Sequence, residues 1–425
     1  MSSRQPTGTA DDLLQPGGTE DLAATPKAGL LQLLVALAAI VMAAVLTHKT
    51  DLLIVVAAVV LMVMVHELGH FVTAKLSGMK VTEYFLGFGP RLWSIRLGET
   101  EYGVKAILAG GYVRIIGMSE AEDVAPSDEP RTYRQQPFHN RLLVAVAGSV
   151  MHFIMAFLLL WGLVVFTGTP NNNAVSVSSL SPIGHGVDPA AAAGVKAGDV
   201  FVSVDGQKVT SPAVLAGEIS SSVGKPLSIV LDRAGKRIVV RVVPVSSGTP
   251  SIGRIGVVIS NPLQRTSPLV GLLRAGADLG RVTSLSVTGM GTVFSPHGLN
   301  SYVHDLTSTK AAVQASRNGT RPESIVGAVR TATQGAQQGA GDLIIVLVSI
   351  NVFVGIINMF PMLPLDGGHV LVAVYEKIRS RNGVRYRADV NKLTPFAYLF
   401  LAFLGFIFIS SLYLDIAHPV ANPFR

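Results

Sequence analysis

His66, Glu67 and His70 fall within the stretch Met64 to Leu76, which reads M-V-H-E-L-G-H-F-V-T-A-K-L. Residues four apart share one face of a helix, so His66 and His70 are spaced to hold one zinc ion. Glu67, one step round, is placed to reach a water beside that ion. Two imidazoles and one carboxylate in this pattern suit hydrolysis of an amide by a metal-activated water. The setting is unusual, because no Asp, Glu, Lys or Arg lies between Asp51 and Glu67. A helix rises about 1.5 Å per residue, which carries His66 roughly 22 Å from the Asp51 end, well inside a hydrocarbon layer of about 30 Å. Ionisable groups at that depth are expensive and mark function.

A catalytic zinc site takes three protein ligands and keeps a fourth position for water. Asp366, His369 and His152 are candidates for the third. Asp366 is preferred. It follows the run N-M-F-P-M-L-P-L, Asn358 to Leu365, whose two prolines break a helix, and Gly367 and Gly368 beside it allow close backbone approach. Broken helices at membrane depth occur only where protein or a cavity supplies backbone partners. His152 sits in a regular apolar run and reads as a polar contact between helices. His369 reads as a residue supporting the ligands or lying at the cytoplasmic end.

These residues need a membrane scaffold, and the composition provides one. The 425 residues are 49% hydrophobic and 14% charged, which is membrane composition. The net charge of +7 does not point to nucleic acid, since the Lys and Arg residues flank apolar segments without aromatic interleaving. With no cysteine, thiolate zinc sites, thiol nucleophiles and disulfides are excluded.

Five spans are expected, at about 29–46, 52–74, 142–166, 343–361 and 395–414, after a disordered tail over 1–28. Residues 80–116 alternate in short stretches broken by glycines and read as a small β-sheet. Nine Lys or Arg between Lys75 and Arg141, against Lys49 alone in the turn after the first span, place that sheet in the cytoplasm. Arg and Lys residues between Lys377 and Lys392 form a second cytoplasmic cluster. The N-terminus is then cytoplasmic, and the C-terminus extracytoplasmic. Residues 171–249 read as a soluble extracytoplasmic α+β domain, and 250–342 as an amphipathic and loop region, with the clearest amphipathic pattern over Leu269 to Val293.

Asp188 to Gly206, D-P-A-A-A-A-G-V-K-A-G-D-V-F-V-S-V-D-G, resembles the PDZ domains of bacterial proteases, where a peptide adds as a strand to a sheet edge. H-E-L-G-H, then G-G-Y at 110 to 112, then the PDZ-like insert, then N-x-x-P-x-x-P-L-D-G-G make an ordered set that resembles the site-2 proteases, the intramembrane zinc metalloproteases. The actinobacterial members are the most similar, with G-F-G-P at 87 to 90 and G-E-T-E-Y-G-V-K-A at 98 to 106. The resemblance implies a membrane helical bundle of four core spans plus one extra N-terminal span. It implies Zn2+ held by His66, His70 and Asp366, Glu67 as general base, and Asn358 on the substrate backbone. It also implies that Ala109, Gly110 and Gly111 hold the substrate as an extended strand, which suits the chemistry because a substrate helix must unwind before water reaches its carbonyl. Implied substrates are single-pass membrane proteins such as trimmed anti-sigma factors or remnant signal peptides. Where the family carries a Gly-Pro pair and an Asn, this chain has Gly148, Ser149 and His152. A binding protein without catalysis is the alternative, disfavoured by the intact Glu67. A metal or ion transporter is less favoured still, with no inverted repeat evident.

Overall fold

The computed structural model describes residues 26–118, 122–183, 188–247, 252–318, 321–380, 384 and 386–419. The expected tail lies almost wholly outside them. Two compact units emerge, Leu159–Asp278 and the remainder of the chain.

The larger unit starts with α1 (Pro26–Leu46) and α2 (Thr50–Leu76), which carries the histidines. α2 stops at Ser77, and Gly78 takes up the positive φ of +75° that turns the chain. Strands β1 (Val81–Leu97) and β2 (Thr100–Ile115) then pair in a hairpin that folds back on itself, since Glu83 to Leu86 pair with residues 111–114 on one side and with residues 101–104 on the other, and Arg91 to Leu97 pair with residues 100–105. The sequence reads this region as a small sheet of short stretches broken by glycines. Gly87 and Gly89 adopt φ of +88° and +79° where the register shifts and β1 passes from one set of partners to the next. α3 (Phe138–Thr167) returns along the bundle and continues into the smaller unit.

In the smaller unit, α4 (Pro189–Ala192) and α5 (Pro212–Ser220) accompany a six-stranded sheet. Its main path runs Val257–Ser260, Val175–Leu180, Val200–Val204, Leu227–Arg233 and Lys236–Val242, all neighbours antiparallel. The inward residues of alternating strands, Val175, Val177, Phe201, Val204, Leu227, Ile229 and Leu231, form one buried core with Leu215 and Ile219 of α5. Asp205 and Gly206, at φ of 47° and 84°, supply the two left-handed residues of a tight hairpin turn. Asp199 is nearly fully buried and accepts from Arg233 Nε and Nη2, both at 2.7 Å, and this pair holds its carboxyl below the usual range.

The chain leaves this unit through α6 (Pro268–Val293), followed by α7 (Pro296–Thr307), α8 (Thr309–Arg317) and α9 (Ile325–Gln338). Over 295–342 the sequence carries little signal beyond a loop around Asn318 to Pro322, of which 319–320 lie outside the described residues. α10 (Ala340–Asn358) ends just before the proline run, α11 (Asp366–Arg379) opens on the candidate ligand, and α12 (Thr394–Ala417) is the last helix. Among the described residues, α1, α2, α3, α10 and α12 are the five helices long and apolar enough to cross a membrane, so the protein is a membrane helical protein with an added β-rich unit.

Candidate metal centre and active site

α2 and α3 meet through a stripe of small residues. A Cβ on Gly69 would come within 2.7 Å of the Ala147 carbonyl oxygen and of Met151 Cγ. A Cβ on Gly148 would collide with the rings of both His66 and His70. Val144, Ala147, Gly148, Met151 and His152 recur at three- and four-residue spacing along α3, so one face of that helix lies against the histidines. That contact orients the candidate ligands: His70 Nδ1 donates to the Val144 carbonyl at 2.8 Å. With its proton on Nδ1, the ring presents the Nε2 lone pair inward.

Asp366 enters the same place from the first turn of α11. Gly367 and Gly368 are required there, since a Cβ on either would strike the backbone of Met359 to Leu363 folded against it. His66 Nε2 and His70 Nε2 lie 3.2 Å apart, and Asp366 Oδ2 is 3.6 Å from the first and 3.3 Å from the second. Two imidazole nitrogens and a carboxylate oxygen thus converge, and Asp366 Oδ2 is buried without a hydrogen-bond partner among the described residues. Lone pairs facing one another are repulsive unless a cation sits among them. Tetrahedral zinc with bonds of about 2.0–2.2 Å separates its ligands by about 3.3–3.6 Å, so this donor set fits the ion.

Glu67 faces the hairpin. A Cβ on Gly111 would meet Glu67 Cγ at 3.2 Å and Val63 Cγ1 at 3.3 Å, so β2 passes directly over the candidate base, and Tyr84 of β1 donates to the Met64 carbonyl at 2.7 Å. Of the three expected hairpin residues, Gly111 is the one brought to Glu67; Gly110 packs near Phe88, with 3.0 Å between a would-be Cβ and that ring, and Ala109 lies between Leu108 and Gly110 on β2. Asn358 is the last residue of α10, half-buried where the helix breaks.

His152 does not join the ligand cluster. Its ring lies 5.0 Å from that of His66, and its Nδ1 is 3.0 Å from Asn351 Oδ1. Asn351 is fully buried and its Nδ2 donates to the Leu347 carbonyl at 2.9 Å, so its oxygen is the end turned to His152. His369 packs edge-on to Tyr133, ring centroids 6.3 Å apart. Asn351 escaped the sequence reading. The signal was present as a lone amide in an apolar helix, two turns before Asn358 on the same face.

A profile of peptidase family M50 matches residues 54–402. The chain belongs to this family, the site-2 proteases. Relatives named zinc metalloprotease Rip1 include one from Mycolicibacterium smegmatis, 32% identical over 403 residues that cover 86% of this chain and 96% of the relative. Another, from Mycobacterium tuberculosis, is 32% identical over 408 residues, covering 87% of this chain and 98% of its own. This M50 protein is therefore a zinc metalloprotease acting within the membrane, and the extra N-terminal helix falls outside the stretch that the family profile matches.

Proposed function

We propose that this M50 protease cuts transmembrane segments of single-pass membrane proteins, with zinc held by His66, His70 and Asp366. The observation carrying this reading is the convergence of those three donors beside Glu67, under a glycine-lined strand, in a bundle of apolar helices. Zinc bound there supplies Lewis acidity, polarising the scissile carbonyl and making the attacking water more acidic. Glu67 takes the proton from that water and delivers it to the leaving amine. The Val144 carbonyl fixes the tautomer of His70, and the Gly148 backbone lets α3 close over the histidines.

The substrate must present an extended backbone. The β2 edge at Ala109, Gly110 and Gly111 offers it strand pairing, replacing amide bonds lost as its helix unwinds. Asn358, at the break after α10, is the amide assigned to the substrate backbone. Basic residues around the hairpin and after α11 support a cytoplasmic hairpin, and with it an extracytoplasmic PDZ-like unit and C-terminus. Such a unit would admit substrates whose bulky outer part has already been removed, anti-sigma factors or remnant signal peptides being the class.

The test is co-expression of a tagged single-pass substrate with wild-type protein and Glu67→Gln. Cleavage is expected to disappear in the variant while zinc content stays at one ion per chain. Retention of full cleavage by Glu67→Gln would sink the mechanism.

A further inference from the structure

A second polar cluster lies away from the zinc ligands, where α3 and α11 approach one another. A cavity of about 240 Å³ is lined by Arg134, Arg141, Glu376 and Arg387. Glu376 offsets one of the three guanidinium charges: Oε2 accepts from Arg141 Nη1 at 2.5 Å and Oε1 from the Ala388 amide at 2.8 Å. The nearby Glu129 is likewise engaged, by Arg134 Nε and Nη2 and by Gln135 Nε2. Three guanidinium groups against these two carboxylates leave the cluster with net positive charge. Arg141 is 6% exposed, and its Nε is buried without a partner among the described residues, a donor awaiting an acceptor.

The position selects the ligand. Arg141 is the last charged residue before Leu142 to Phe166, a run with no Asp, Glu, Lys or Arg, so the cavity lies at the level where lipid headgroups meet the chain. Its volume suits a phosphate and its immediate substituents and is below the roughly 300–1,000 Å³ of sites for larger molecules such as nucleotides. We propose that this cavity binds the phosphate of an anionic lipid headgroup. Arg141 contributes from the start of α3 and Arg387 from the segment after α11, and Arg134 closes the side nearest Glu129. A bound phosphate would brace α3, whose Gly148 lies against both histidines, and α11, whose first residue is Asp366.

The test uses the full chain in vesicles of phosphatidylcholine, with and without phosphatidylglycerol, read by melting temperature and by native mass spectrometry of retained lipid. Phosphatidylglycerol is expected to raise the melting temperature of the wild type and to remain as a bound adduct. Arg387→Gln, at an exposed position, is expected to lose the shift and to retain lipid several-fold less. Lys377→Gln, an exposed cation on α11 outside the cavity, is expected to keep both, and zinc content checks that each variant is folded. If inorganic phosphate in phosphatidylcholine vesicles gives the same shift, the phosphate site stands and its occupant is free phosphate, overturning the lipid assignment. No shift in the wild type, or equal shifts in wild type and Arg387→Gln, overturns the site.

Discussion

A methyl group at position 148 would occupy space filled by the rings of His66 and His70. Gly148→Ala is therefore expected to displace the histidines and cost about 10–100-fold in zinc affinity, the range typical of residues that orient ligands, measured by titration with a chelator. Glu67→Gln changes none of the three candidate ligands and is expected to keep affinity while losing turnover, so the two variants separate metal holding from catalysis. Asn351→Ala leaves the buried His152 without its amide partner and is expected to cost about 1–3 kcal/mol in unfolding experiments. Residues with dense local signals were legible: His66, Glu67 and His70 by spacing, Asp366 by the prolines and glycines around it. Gly148 and Asn351 were not, because their importance lies in what approaches from another helix. A glycine or lone amide in an apolar run does not name its neighbour.

Among the elements, the hairpin is tied to α2 at both ends. Near its base, Gly111 lies against Glu67. At its turn, Glu99 accepts from Lys75 Nζ at 2.6 Å and from Arg131 Nη1 and Nη2 at 2.7 and 2.8 Å. Arg131 first, then Lys75, pulls the Glu99 carboxyl from its ordinary 4.5 down to about 2. A depressed carboxylate stabilises the fold above its unfolded value and loses that contribution as pH falls through its folded value. The melting-temperature gap between wild type and Glu99→Gln is thus expected to be full above about pH 5 and to close as pH falls toward about 2. A deeper joint links α12 to the approach to α9. Arg321 Nη2 donates to Asp415 Oδ1 at 2.8 Å, with both side chains fully buried, and the Ser324 amide donates to Oδ2 at 2.7 Å. Asp415→Asn is expected to cost about 3–5 kcal/mol, the usual penalty for leaving a buried charge unpaired, checked by denaturation in detergent. The helices α7 to α9 were unreadable for a physical reason. α8 and α9 bury Ala312, Gly327, Ala332 and Gly335, small residues that give little apolar signal, and α7 buries the single Tyr302 against Ala312 and Leu414, although Ser295, Ser308 and Ser324 cap their starts in the usual way.

On the scale of the whole molecule, two compact units share one chain without cysteine. The smaller has its own core of fifteen buried residues. Residues 169–266 expressed alone are expected to unfold cooperatively, and Phe201→Ala to destabilise them by about 3–5 kcal/mol in denaturant titrations. The five apolar helices were evident from composition, since a membrane span is a local property of some twenty residues. The pairing order of the sheet was not, because it depends on contacts between strands far apart in sequence. The long reach from His70 to Asp366 has its own outcome during synthesis. The third donor emerges only after four of the five apolar helices and the whole of the smaller unit have been made. At roughly 5–20 residues per second, the nascent chain spends some tens of seconds carrying the HExxH helix without this candidate ligand. If Asp366 is the third ligand, the nascent chain is expected to lack proteolytic activity throughout that interval, which truncation before Asp366 checks by loss of both zinc and cleavage.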